Sequence, residues 1–209
     1  MSQKEHWEEV YINKESSPVG WTQEIPEPSL GYIQKLAIDK ATPIIDIGGG
    51  DSLLVDHLIQ LGYSDITVLD ISEAAIDRAK KRLGESTAMV DWKCMDIVDF
   101  EPIRTYGIWH DRACFHFLLE PAEIAGYMDL VRQWASDGVV IGTFSDQGPP
   151  KCSGLEITQY SIADLQALLT PTFEMIDSMN YDHITPTGNK QNYSFCSFKK
   201  VNPLEDLLI

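Results

Sequence analysis

The alternation of apolar and polar positions divides the chain into a helical opening, a regular middle and a different ending. Residues 4–14 place Trp7, Val10 and Tyr11 on one face of a short helix. Residues 15–28 carry Pro18, Gly20, Pro26 and Pro28, so they read as a loop, with Trp21 inside it. Leu30, Ile33, Leu36 and Ala37 then return at helical spacing. From there short apolar runs alternate with amphipathic stretches. Strands are predicted at 44–47, 66–69, 88–94, 106–109 and 139–144. Helices are predicted at 53–61, closed by Gly62, from Ser72 to Leu83, and at 122–134, opened by Pro121. Such alternation predicts an α/β fold, with a parallel sheet covered by helices on both faces. A helix at 161–169 follows. Two strand-like segments, 173–181 and 192–199, are joined by a turn containing Pro186-Thr187-Gly188-Asn189. A link that short makes a hairpin, so one of the two strands runs antiparallel to the sheet.

Composition narrows the picture. A chain of 209 residues with 44% hydrophobic content fits one domain with a substantial core. The formal charge is −16. That balance repels nucleic-acid phosphates and anionic membrane surfaces. Only Lys80-Lys81-Arg82 and Lys199-Lys200 cluster, and the first sits on a helix face as a solvated surface. Neither a nucleic-acid nor a membrane partner is expected. Cys94, Cys114, Cys152 and Cys196 have no paired spacing, which points to free thiols, a reducing cytoplasm and no metal site. The opening residues contain no apolar signal core, and no run approaches a membrane span.

The candidate chemistry begins at Asp46-Ile47-Gly48-Gly49-Gly50-Asp51-Ser52, where a buried strand feeds a helix through a glycine turn. Glycines let backbone approach a ligand and permit positive φ. A dinucleotide fingerprint counted from Gly48 requires a small residue at position 53, and Leu53 is there instead. A carboxylate at Asp46 can order the loop or accept from a cationic amine, which suits a ligand with an amino-acid end. Asp70 ends the second strand, where an acid can take both hydroxyls of a ribose or cap the next helix. Asp96, beside Met95 and Ile97, can accept from an adenine amino group while its neighbours pack the ring.

With these three acids in place, residues 30–200 resemble a class I S-adenosylmethionine-dependent methyltransferase. The resemblance rests on the turn Asp46–Ser52, on Asp70, on Met95-Asp96-Ile97 and on the closing hairpin. It implies a three-layer α/β/α fold around a seven-stranded, mostly parallel sheet with an antiparallel C-terminal strand. It implies that Asp46, Gly48, Gly49, Gly50 and Ser52 hold the methionine part of the cofactor. Asp70 and Ile71 would hold the ribose, and Asp96 and Ile97 the adenine, with S-adenosylhomocysteine as product. Ser52 stands where the commonest family pattern has a third glycine.

The resemblance places substrate chemistry at the fourth strand, Gly107-Ile108-Trp109-His110-Asp111-Arg112-Ala113-Cys114-Phe115-His116-Phe117. No Asn-Pro-Pro-Tyr-like run is present, which argues against methylation of nucleic-acid bases. His110, Asp111 and His116 are candidates for a general base. The competing reading is an Asp111–Arg112 ion pair and a His110 packed under the cofactor. Trp7, Tyr11 and Trp21, together with the glycine- and proline-rich segment 145–155 and its Cys152, are candidates to cover the pocket, with Arg112 and Phe115 in its wall. The turn at His183-Ile184-Thr185-Pro186 can also face the site. The expected organisation is a cap at 1–29, a catalytic domain at 30–201 and a loose tail at 202–209. The expected reaction is direct methyl transfer to a thiol, amine or hydroxyl of a small molecule. The alternatives are a protein lysine methyltransferase and a nucleotide-binding scaffold without catalysis; an NAD-dependent oxidoreductase is disfavoured by Leu53 and the hairpin.

Overall fold

The computed structural model describes residues 2–13 and 19–202. The tail expected at 202–209 therefore lies, apart from Asn202, outside the described residues.

The strands are β1 (Ile44–Ile47), β2 (Ile66–Asp70), β3 (Val90–Cys94), β4 (Tyr106–Arg112), β5 (Ala135–Phe144), β6 (Lys151–Cys152), β7 (Leu155–Glu156), β8 (Phe173–Ile184) and β9 (Lys190–Lys200). The α-helices are α1 (Gln3–Asn13), α2 (Glu27–Leu36), α3 (Leu54–Gln60), α4 (Glu73–Leu83), α5 (Pro121–Trp134) and α6 (Ile162–Leu169). Seven strands form one sheet in the order β3-β2-β1-β4-β5-β9-β8. The pairs within β3-β2-β1-β4-β5 are parallel, and β9 runs antiparallel to both β5 and β8. The expected three-layer architecture with one reversed C-terminal strand is therefore present.

Strand alternation sorts side chains into two cores. Ile45, Ile47 and Trp109 face Tyr127, Val131 and Leu165 of α5 and α6. Ile44, Val68 and Ile108 face Ile33, Leu54 and Leu58 of α2 and α3. The chain order reverses between β1 and β4, which opens a crevice beyond the carboxyl ends of these strands.

Two local features depart from the sequence reading. β4 runs three residues beyond Trp109, so His110, Asp111 and Arg112 are strand residues with alternating orientations. The segment 145–155 is not an open loop throughout. Its end folds into the β6–β7 hairpin, turned by Ser153 and Gly154 at φ 50° and 82°. Two successive positive φ values are what a two-residue hairpin turn requires.

Candidate functional site

The site is built on the β1–α3 turn. Gly48 has φ +68° and donates its N–H to the Leu69 carbonyl at 2.7 Å. A Cβ there would meet Cys114 Cβ at 2.8 Å. A Cβ on Gly49 would strike the Asp46 carboxylate, and one on Gly50 the Asp70 carboxylate. The turn is thus glycine because two acids and the segment after β4 press against it. Ser52 has a local role: its Oγ accepts from Leu54 N–H at 3.2 Å as α3 begins. Asp46 is buried. Its Oδ1 accepts from His110 Nδ1 at 2.7 Å, while Oδ2 is buried with no hydrogen-bond partner.

Beyond β2 and β3 the crevice deepens into a cleft lined by Gly48, Asp70, Ile71, Asp96 and Ile97 among others. Asp70 is 6% exposed and accepts from Ser72 N–H at 2.8 Å. Burial raises its pKa to about 7, against the opposing pull of backbone hydrogen bonds from Ser72 and Gly50. Asp96 Oδ1 accepts from Val98 N–H at 3.2 Å, capping the 3₁₀ turn Ile97–Asp99.

The fourth strand corrects the proposed base. His110, Asp111 and His116 are all buried, and none lines the cleft. His110 stands opposite Asp46 in the β1–β4 register, and its Nε2 lies within hydrogen-bond distance, 2.8 Å, of the Ser29 hydroxyl. Asp111 faces the other layer. It accepts from the backbone N–H groups of Cys114 and Phe115, at 3.0 and 3.1 Å, and from the Tyr127 hydroxyl at 2.6 Å. Burial raises its pKa to about 6. These bonds hold the turn in which Ala113, at φ 66°, brings Cys114 against Gly48. His116 packs on Phe117 and Phe144, accepts from Phe144 N–H at 3.3 Å, and is held neutral, its pKa lowered to about 3 by burial. Phe115, read as pocket wall, is a core residue stacked on Tyr160. The Asp111–Arg112 ion pair does not form, because adjacent strand residues point to opposite faces. Arg112 lines the cleft and donates to the Trp21 carbonyl at 2.9 Å.

Above the cleft lie Trp7, Tyr11 and Trp21, all in its lining, with Trp7 edge-on to both Trp21 and Phe117. Cys152, on β6, also lines it, and burial pushes its thiol up to about 12. His183 does not reach the cleft; its Nε2 donates to the Gly20 carbonyl at 2.7 Å, beside the Trp21 loop. Residues to which the sequence reading gave no role are Gln3, Cys114, Phe117 and Leu118, all in the lining. Cys114 and Phe117 are three apart after β4, a spacing that puts both on one side of a helical turn. Among the described residues no group of three or more His, Cys, Asp or Glu could hold a metal ion. No helix among them is long and apolar enough to cross a membrane.

Residues 44–138, from β1 into β5, match the family profile described as a methyltransferase domain. This match and the like-folded structures support a class I S-adenosylmethionine-dependent methyltransferase. The chain is 29% identical over 118 residues to the malonyl-[acyl-carrier protein] O-methyltransferase of Anoxybacillus flavithermus, covering 55% of the chain and 44% of that protein. It is 26% identical over 138 residues to the mouse eEF1A lysine and N-terminal methyltransferase, covering 66% of the chain and 20% of that protein. The chain thus spans less than half the length of these curated relatives. The crystal structure of Burkholderia thailandensis 1,6-didemethyltoxoflavin-N1-methyltransferase, with 1,6-didemethyltoxoflavin and S-adenosylhomocysteine bound, superposes with a TM-score of 0.71. The identity there is 16%, over 95% of this chain and 87% of that one. The residues of this chain fit the cofactor of that family, S-adenosylmethionine. Gly48 reaches the cleft beside Asp70 and Asp96, and the buried Asp46 Oδ2 has no hydrogen-bond partner among the described residues.

Proposed function

We propose that this protein transfers a methyl group from S-adenosylmethionine to a small-molecule thiol, amine or hydroxyl by direct displacement. The observation that carries the reading is the glycine turn opening onto one cleft lined by both Asp70 and Asp96. In this reading the Gly48–Gly50 backbone and Asp46 hold the methionine part, with Ser52 starting the helix behind it. Asp70 takes the ribose hydroxyls, and Asp96 the adenine amino group between Ile71 and Ile97. Bound there, the cofactor supplies a sulfonium methyl group, already a strong electrophile. What remains for the chain is alignment and exclusion of water. We assign the second task to Trp7, Tyr11 and Trp21, the cap expected at 1–29, and to the hairpin that carries Cys152. With His110, Asp111 and His116 outside the cleft, the acceptor sheds its proton without a histidine base. That favours thiols and amines over weakly acidic hydroxyls.

A small acceptor suits the covered cleft, and 1,6-didemethyltoxoflavin is bound in the Burkholderia thailandensis N1-methyltransferase of like fold. The second reading is a protein lysine substrate. It draws on the mouse relative and on a charge of −16 that attracts basic segments. The four thiols without a disulfide suit the cytoplasm. Isothermal titration with S-adenosylmethionine and S-adenosylhomocysteine tests the cofactor assignment: saturable binding is expected, and no heat at high micromolar ligand would overturn it. Binding without turnover on thiols, amines, hydroxyls or lysine peptides would favour a scaffold.

A further inference from the structure

The chain has five arginines. Arg78, Arg82, Arg104 and Arg132 each pair with a carboxylate within 3.3 Å. Arg112 pairs with none among the described residues. Its one hydrogen bond uses Nη1, on the Trp21 carbonyl. In a protein with 32 acidic residues and only 16 basic ones, an arginine without a carboxylate is costly to arrange by accident. Among the described residues Arg112 is also the only Lys or Arg in the cleft lining, which otherwise contains the acids Asp70 and Asp96.

Its position separates it from those acids. Asp70 and Asp96 end β2 and β3, whereas Arg112 ends β4 on the side of β5. There its charge acts on Tyr11, Cys152, His183 and Tyr193. The Tyr193 hydroxyl is buried without a hydrogen-bond partner. Trp7, Trp21 and Phe117 wall the same part of the cleft with aromatic edges. A guanidinium offers a planar fork of donors that matches a carboxylate, and the Trp21 bond fixes its orientation while leaving further N–H groups for a ligand.

We propose that the methyl acceptor carries a carboxylate on an aromatic or otherwise apolar body, and that Arg112 binds that carboxylate. This rests on the methyltransferase reading above and names its substrate class. The aromatic wall takes the body and the arginine fixes one end. The nucleophilic atom is thereby directed toward the Gly48 side of the cleft, where the methyl group is presented. The acidic surface disfavours the approach of anions, so Arg112 supplies the local attraction that the rest of the molecule withholds.

The test uses the full chain saturated with S-adenosylhomocysteine and titrated calorimetrically with matched pairs: 4-aminobenzoate against 4-aminobenzamide, and 2-mercaptobenzoate against 2-mercaptobenzamide. The acid is expected to bind at least about tenfold more tightly than its amide in one or both pairs, the scale of a charge-assisted fork. Arg112→Gln is expected to abolish that preference and Arg112→Lys to retain part of it, with S-adenosylhomocysteine affinity unchanged in both. Absence of any acid preference in the wild type overturns the proposal. So does a loss of S-adenosylhomocysteine affinity in Arg112→Gln that is absent for 5′-(3-aminopropylthio)adenosine, its analogue without the carboxylate. That pattern would assign Arg112 to the cofactor instead. Methyl transfer with equal preference for acids and amides removes this inference and leaves the methyltransferase reading intact. Failure to bind S-adenosylhomocysteine at all removes both.

Discussion

Asp70 keeps a proton near neutrality because the fold removes it from water and puts Asp46 and Glu8 nearby. Its folded pKa, about 7, lies above the unfolded value, so the folded state binds more protons between about pH 4 and 7. This contribution to stability is therefore complete below pH 4 and lost as pH rises through 7. A ribose that donates two hydroxyls favours the ionised acid, so cofactor binding should tighten from pH 6 to 8 with release of a proton. Asp70→Asn should weaken S-adenosylhomocysteine binding by about 1–3 kcal/mol and flatten that pH dependence, while the ligand-free variant melts no lower at pH 8 than the wild type. Titration at the two pH values and a melting curve check it; unchanged affinity would count against the ribose role. At this scale the position of Asp70 and Asp96 at the cleft was legible because each follows an apolar run at a strand end. The fate of His110 and His116 was not. Their spacing says nothing about which partner satisfies a buried ring, and Asp46 and Ser29 are 64 and 81 residues away from His110.

Among the elements, α1 is the one whose placement bears on the cleft. Ser72 caps α4 by accepting from Ala75 N–H at 3.1 Å. Glu8 adds a second anion at that terminus: it accepts from the Ser72 hydroxyl at 2.8 Å and from Ala74 N–H at 3.2 Å. Such an acid complements the helix dipole. At the other end of α1, Arg78 holds the Tyr11 carbonyl and pairs with Asp51. Glu8→Ala should cost about 1 kcal/mol of stability and speed release of S-adenosylhomocysteine several-fold in stopped-flow competition, with the sheet unaltered by circular dichroism. An unchanged off-rate would mean that α1 does not retain the ligand. The amphipathic face of α1 was readable, but Glu8 as a cap was not, because its helix partner lies some 64 residues downstream. The end of β4 was missed for a related reason: a polar run of His-Asp-Arg reads as solvent-facing until neighbouring layers supply Ser29, Tyr127 and Trp21 as partners.

For the molecule as a whole, the period of the apolar runs was enough to give the layers and the reversed strand, since both follow from rules of chirality and connection that apply to any such alternation. The depth of the cleft was not, because it depends on how α1 and the Trp21 loop settle over the sheet. The net charge of −16 is a property at the same scale. Mutual repulsion among surface acids destabilises the compact state and is screened by salt. The melting temperature should accordingly rise when sodium chloride increases from about 10 to 150 mM, a range over which the screening length falls from ~30 to ~8 Å. A falling value would mean that pairs such as Arg104–Asp65 outweigh the repulsion.

The bonds that seat the first twenty-odd residues all reach far along the chain: Glu8 to Ala74, Arg78 to Tyr11, Arg112 to Trp21 and His183 to Gly20. During synthesis this segment emerges before its landing place on α4 and β8, which is made much later. Its loop closures carry the largest entropic cost, which puts its docking late in folding and makes it the first part to detach. Amide protons of α1 should then exchange with solvent through a local opening that leaves β1 and β4 protected. The protein can thus admit and release its ligands without disturbing the core that shapes their site.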